Sequence, residues 1–137
     1  MTAVPVLAEI VSGTEGISIV NCGHPPPLLI TGTLGRFTDP PEASLPLGLA
    51  QFGPDARKQY TVMFGPQDRM LFYTDGISEA RDKTGTFYPV GRCATLLAGP
   101  DLDDALDRLY ADVSRHTDGG LHDDSAALLM TRATPRT

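Results

Sequence analysis

The chain has 137 residues with 11 Lys and Arg against 17 Asp and Glu, for a net charge of −6. That is the length of one ordinary domain, and roughly two-thirds of the extended chain's surface can be buried without disulfide or metal staples. An acidic surface of this size excludes nucleic acid and anionic membranes as natural partners, because there is no basic face to release phosphate counterions. With 41% apolar and 20% charged residues the composition is that of a folded protein, and 14 Gly plus 12 Pro point to many turns and short elements.

Val4–Ile10 reads as a strand, and β-branched Ile17–Val20 as its hairpin partner across a Gly-containing turn. Pro25-Pro26-Pro27 then interrupts regular structure before a short third strand, Leu28–Thr31, whose proline-rich entry suits a loop or a sheet edge. Residues 32–57, rich in glycine and proline, read as one long loop containing Leu45-Pro46-Leu47-Gly48. Tyr60–Phe64 and Arg69–Thr74 follow as two strands about a Gly65-Pro66 turn, a second predicted hairpin, with 69–74 apolar on both faces as a central strand is. Helical spacing of Val90, Ala94, Leu97 and Ala98 predicts a helix that stops at Gly99-Pro100. Asp101 is a good N-cap for a second helix over 102–116, with Asp103 and Asp104 in its first turn and an apolar stripe of Leu102, Ala105, Leu106, Leu109 and Val113. Ser125–Met130 closes the chain as a buried strand. The expected fold class is α+β, a sheet with helices packed on it, in a single domain over 1–137.

Candidate chemistry collects where acids meet apolar strands. Asp75-Gly76 directly follows strand 69–74, and His122-Asp123-Asp124 directly precedes strand 125–130. Each alone reads more readily as an ordinary Asp-Gly turn or a solvated acidic loop. If the two strands pair, Asp75 and Asp123 converge at one rim of a sheet, where carboxylate oxygens suit hard cations such as Mg2+ and Mn2+. Adjacent carboxylates at 123 and 124 repel unless a cation or hydrogen bonds offset them. His24 beside the prolines is a further candidate, although such a residue more often holds a loop together; Glu79 and Arg81 read as a solvated pair, and His116 as a partner for the C-terminal end of its helix. Cys22 and Cys93 read as free thiols, with no spacing suited to zinc. The absence of a visible secretory signal or of an apolar run near 18 residues leads to the expectation of a cytoplasmic protein. A covalent aspartyl-phosphate route is disfavoured, since Tyr73 stands where such an enzyme has its nucleophilic aspartate, and neither a P-loop nor a Gly-x-Ser-x-Gly elbow is present.

Four ordered segments together carry a resemblance: Asn21-Cys22-Gly23-His24-Pro25-Pro26-Pro27-Leu28-Leu29, Leu45-Pro46-Leu47-Gly48, Asp68 through Ala80 with its Thr74-Asp75-Gly76 core, and His122-Asp123-Asp124-Ser125-Ala126. The chain resembles the bacterial PPM (type 2C-like) serine/threonine phosphatases of the stage-II-sporulation-E type, over nearly its whole length. The resemblance implies a β-sandwich flanked by helices (α/β/β/α), and hydrolysis of phosphoserine or phosphothreonine by a water bridging two Mn2+ or Mg2+ ions. It implies metal ligation by Asp75 and Asp123, with Gly76, Asp124 and His24 nearby, and a phosphorylated protein substrate, by analogy an anti-sigma-factor antagonist. The family's N-terminal aspartate-bearing segments have no counterpart in this sequence. The chain is therefore expected to be the C-terminal portion of the domain, to bind metal weakly by itself, and to self-associate as a homodimer through an uncovered sheet edge. The competing expectations are a non-catalytic protein-interaction module derived from such a phosphatase, and an unrelated acidic α+β domain using the two aspartates structurally.

Overall fold

A computed structural model describes residues 6–10, 15–21, 25–38, 59–118 and 125–132. Among the described residues, seven strands, two α-helices and a 3₁₀ helix are arranged as an α+β fold with two antiparallel sheets, and the chain divides into two compact units.

The first unit holds a three-stranded sheet in the order β1 (Val6–Ile10), β2 (Gly16–Asn21), β5 (Gln59–Met63). The predicted hairpin of β1 and β2 forms, with Ala8 opposite Ile19 and Ile10 opposite Ile17. Strict alternation in β2 buries Ile17, Ile19 and Asn21 and leaves Gly16, Ser18 and Val20 half-buried, the period-2 signature of a strand with one covered face. The buried Tyr60 in β5 donates its hydroxyl to the Thr38 carbonyl at 2.7 Å, which gives the phenol the partner it needs away from water.

The second unit holds a four-stranded sheet in the order β4 (Leu34–Phe37), β3 (Leu28–Thr31), β6 (Asp68–Tyr73), β7 (Ala127–Thr131). Leu28, Ile30, Leu71 and Tyr73 form one face of this sheet and join Ile77, Val90, Cys93, Leu97, Ala105, Leu109 and Val113 in a buried cluster beneath the helices. Leu29 and Met70, cross-strand partners of opposite parity, are buried as well, so β6 is covered on both faces as its sequence predicts.

α1 is a single turn, Asp75–Ser78, and α2 runs Leu102–Thr117. The Asp101 carboxylate accepts from the Asp103 and Asp104 amides at 2.9 and 3.1 Å, and Asp118 ends α2 in the left-handed region at φ 57°.

Five expectations are corrected. The segment 32–57 is not all loop, because β4 pairs with β3 from Leu28–Phe37 to Thr31–Leu34. Its Leu34-Gly35-Arg36-Phe37 has no apolar alternation, and Gly35 packs closely: a Cβ there would lie 3.1 Å from that of Ala94, a tight contact. β3 is accordingly an interior strand, its prolines confined to the approach. β5 and β6 do not form a hairpin: β5 pairs with β2 and β6 with β3 and β7, in different sheets. The 90–98 helix is 3₁₀ over Val90–Thr95, closed by bonds such as Arg92 N to Pro89 O and Leu96 N to Cys93 O. Its exit is secured by two arginines, with Arg108 donating to the Leu96 and Ala98 carbonyls and Arg69 to those of Leu97 and Gly99. Finally, β7 is not a fully buried strand. Leu129 is buried, but Leu128 is 61% exposed, and β7 is an outer strand among the described residues.

Candidate functional site at the β6–β7 rim

β6 and β7 pair antiparallel from Arg69–Thr131 to Tyr73–Ala127, so the end of β6 and the start of β7 share one rim. Beyond the last ladder pair, the Thr74 amide donates to the Ala126 carbonyl at 3.0 Å and the Ala126 amide donates to Thr74 Oγ1 at 3.0 Å. Ser125 Oγ donates to the Gly76 carbonyl at 3.2 Å. The two acidic segments of the sequence thus flank paired strand ends: Asp75 opens α1 immediately after Thr74, and Asp123-Asp124 precede Ser125 in the chain.

Asp75 is exposed, its backbone carbonyl accepts from the Glu79 amide at 2.8 Å, and its carboxylate has no hydrogen bond or ion pair among the described residues. A hard-oxygen ligand at the mouth of a paired strand, with no competing donor, is chemically suited to a divalent cation. Asp123, Asp124 and His24 lie outside the described residues, as does Cys22. Among the described residues no group of three or more His, Cys, Asp or Glu forms a metal cluster. Composition and motif spacing single out the acids here but not the hydroxyls of Thr74 and Ser125; their signal in the sequence is only that each adjoins an acidic pair or an Asp-Gly.

The neighbouring polar residues serve structure. Asp82 Oδ1 accepts from the Thr84 hydroxyl at 2.7 Å, the Thr84 amide at 2.8 Å and the Thr86 amide at 2.9 Å, and these bonds, the Thr84 hydroxyl foremost, hold its carboxyl below the usual range. Arg81 stacks over Phe87 at 5.1 Å, a surface cation–π contact rather than a partner for Glu79. Tyr88 donates to Asp112 Oδ2 at 2.7 Å; burial and that acceptor push its phenol well above the ordinary value. His116 packs edge-on against Tyr88 with ring centroids 5.5 Å apart, and its Nε2 lies 2.9 Å from the Thr86 carbonyl, so beyond its place in the last turn of α2 it ties the 82–86 loop down. Cys93 is a free thiol that burial pushes up to about 12, an inert core residue.

No helix among the described residues is long and apolar enough to cross a membrane. The family model described as stage II sporulation protein E (SpoIIE) matches residues 1–133. Among solved structures, the chain is similar to the RsbU and RsbW domains of a Mycobacterium tuberculosis protein, with a TM-score of 0.70 and 25% identity over 96% of this chain and 36% of that one. It is similar to the phosphatase domain of the cell fate determinant SpoIIE from Bacillus subtilis, with a TM-score of 0.73 and 19% identity over 97% of this chain and 58% of that one. The SiaA-PP2C domain of Pseudomonas aeruginosa matches with a TM-score of 0.70 and 15% identity over 94% of this chain and 51% of that one. The chain therefore spans between about a third and three-fifths of the length of these solved chains. Among curated proteins none matches. The α+β architecture is that of PP2C phosphatase domains, and by a family match covering nearly its full length this chain belongs to the stage II sporulation protein E family.

Proposed function

We propose that the chain is the C-terminal part of a single metal-dependent protein serine/threonine phosphatase domain, in which Asp75 and Asp123 ligate divalent cations, Mn2+ or Mg2+. The observation that carries this reading is the β6–β7 rim, where Ser125 bonds to Gly76 although 49 positions separate them. Asp123 stands two positions before Ser125 in the sequence, which supports pairing it with Asp75 in this reading. Gly76, Asp124 and His24 are the further candidates around that site. When bound, the cations supply positive charge against the phosphoryl oxygens and lower the pKa of water. Asp75 and Asp123 would hold them through carboxylate oxygens, exchangeably, as all-oxygen sites do.

The substrate is read as a phosphorylated protein in the cytoplasm, an anti-sigma-factor antagonist by family analogy. The similarity to a protein described by its RsbU and RsbW domains supports a signalling setting. Self-association through a sheet edge belongs to the same reading, with exposed Ile10 and Met63 on β1 and β5, the outer strands of their sheet among the described residues, as supporting features.

The test is a Mn2+ titration of the 137-residue chain followed by paramagnetic broadening of backbone amide signals, alongside hydrolysis of a phosphoserine peptide. Broadening centred on Gly76 and Ser125, lost in both Asp75→Asn and Asp123→Asn, is the expected result. Equal broadening in wild type and both variants overturns the proposed ligands.

A further inference from the structure

We infer that Thr74 and Ser125 are positioning residues for the metal site, locking the Asp75 turn to the entry of β7 through their hydroxyls; the inference rests on the proposed ligation by Asp75. The register that pairs Tyr73 with Ala127 continues to Thr74 opposite Ala126. In a regular antiparallel ladder such a pair exchanges two N–H···O=C bonds. Only one is made here, from the Thr74 amide to the Ala126 carbonyl at 3.0 Å. The other is diverted, because the Thr74 carbonyl already accepts from the Ile77 and Ser78 amides at 2.9 and 3.4 Å, the bonds that start α1. The Ala126 amide turns instead to Thr74 Oγ1 at 3.0 Å. Thr74 occupies the N-cap position of α1 with extended φ −96° and ψ 166°, yet its side chain makes no cap hydrogen bond. A threonine at that position ordinarily caps its own helix; here the hydroxyl completes the sheet while the carbonyl begins the helix.

Ser125 adds a second tie. The Ala80 amide bonds to the Ile77 carbonyl at 3.2 Å, which leaves the Gly76 carbonyl without its intrahelical donor, and Ser125 Oγ supplies one. The backbone on both sides of the Asp75 side chain is therefore crosslinked to residues 125 and 126. Removing the Thr74 hydroxyl forces a choice: the Ala126 amide either loses its acceptor or reclaims the Thr74 carbonyl, unwinding the turn that aims Asp75. Groups that orient ligands in this way are worth about 10–100-fold in metal affinity.

The experiment compares the full 137-residue chain with its Thr74→Val, Thr74→Ser, Ser125→Ala and Asp75→Asn variants, reading Mn2+ affinity from amide broadening and hydrogen exchange at the Ala126 amide without metal. Thr74→Val is expected to bind Mn2+ about tenfold more weakly and to exchange Ala126 at least about tenfold faster. Thr74→Ser is expected to stay within about twofold of wild type on both readouts, since it keeps the acceptor oxygen. Ser125→Ala is expected to weaken Mn2+ by a smaller factor and, should Thr74→Val not fold, decides the matter with Thr74→Ser. Wild-type affinity in Thr74→Val or, failing that variant, in Ser125→Ala, with Asp75→Asn impaired, overturns the positioning role alone, as does a Thr74→Ser variant as weak as Thr74→Val. Unchanged affinity in Asp75→Asn overturns the metal reading and the positioning role together, while Ala126 exchange still reports separately whether the hydroxyl bond exists.

Discussion

Asp75 and Asp82 lie seven positions apart, each at a turn of the same unit, and their carboxylates differ in what they accept. Asp82 accepts three hydrogen bonds from Thr84 and Thr86 and closes its own loop around Gly85 at φ 87°. Asp75 accepts none through its side chain among the described residues, although it sits where two strands end together. Asp101, Asp112 and Asp118 side with Asp82, engaged as a helix cap, a tyrosine acceptor and an ion-pair partner of Lys83. In an acidic chain the count of carboxylates is thus a poor guide to chemistry. On the proposed reading a ligating acid needs lone pairs that local N–H and O–H donors have left unclaimed, which Asp82 does not have.

Substitutions can break that contrast or sharpen it. The largest effect is expected for Asp75→Asn: Mn2+ affinity falls by about 100-fold or more, above what orienting partners are worth, with the thermal midpoint unchanged. A drop in midpoint instead would place Asp75 among the structural acids. Tyr88→Phe is expected to destabilise by about 1–2 kcal/mol, because it strips Oδ2 of a half-buried Asp112 of its donor, and to leave Mn2+ binding alone; urea unfolding measures the first and amide broadening the second. Asp101→Ala is expected to cost about 1 kcal/mol through the loss of two bonds at the start of α2, visible as earlier fraying of residues 102–105 in hydrogen exchange. The smallest effect is expected for Asp82→Asn, and it is a matter of pH. Because hydrogen bonds hold the Asp82 carboxyl below its unfolded value near 3.8, its contribution is present above that pH and is lost as pH falls through the lower folded value. Wild type should therefore lose more stability than Asp82→Asn between neutral pH and about pH 3, an acid limb that thermal scans at several pH values would resolve.

Much of this was legible in the residues alone. The apolar stripe from Leu102 to Val113 with Asp101 before it specifies α2, since period and cap are both local properties. The alternation in β2 and the two-faced burial of β6 follow in the same way from side-chain periodicity. The four ordered motifs marked the family, and two of them put acids beside strand ends. Pairing was less legible. The hairpin expected of β5 and β6 rested on their proximity in sequence, but strand partners are chosen by which faces bury together, and β6 finds β3 and β7. β4 escaped notice because a strand of Leu-Gly-Arg-Phe has neither alternation nor β-branching, and its glycine serves close packing against Ala94.

By itself, then, the amino-acid order determined the helix, the strands with clear period and the identity of the acids, because each depends on neighbours a few positions away. Only the tertiary structure decided which strand ends meet, which carbonyls the guanidinium groups of Arg69 and Arg108 satisfy, and that one hydroxyl on Thr74 stands in for a carbonyl spent on a helix. Those choices settle where each polar backbone group finds its partner, and that accounting closes only when segments about fifty residues apart are in contact.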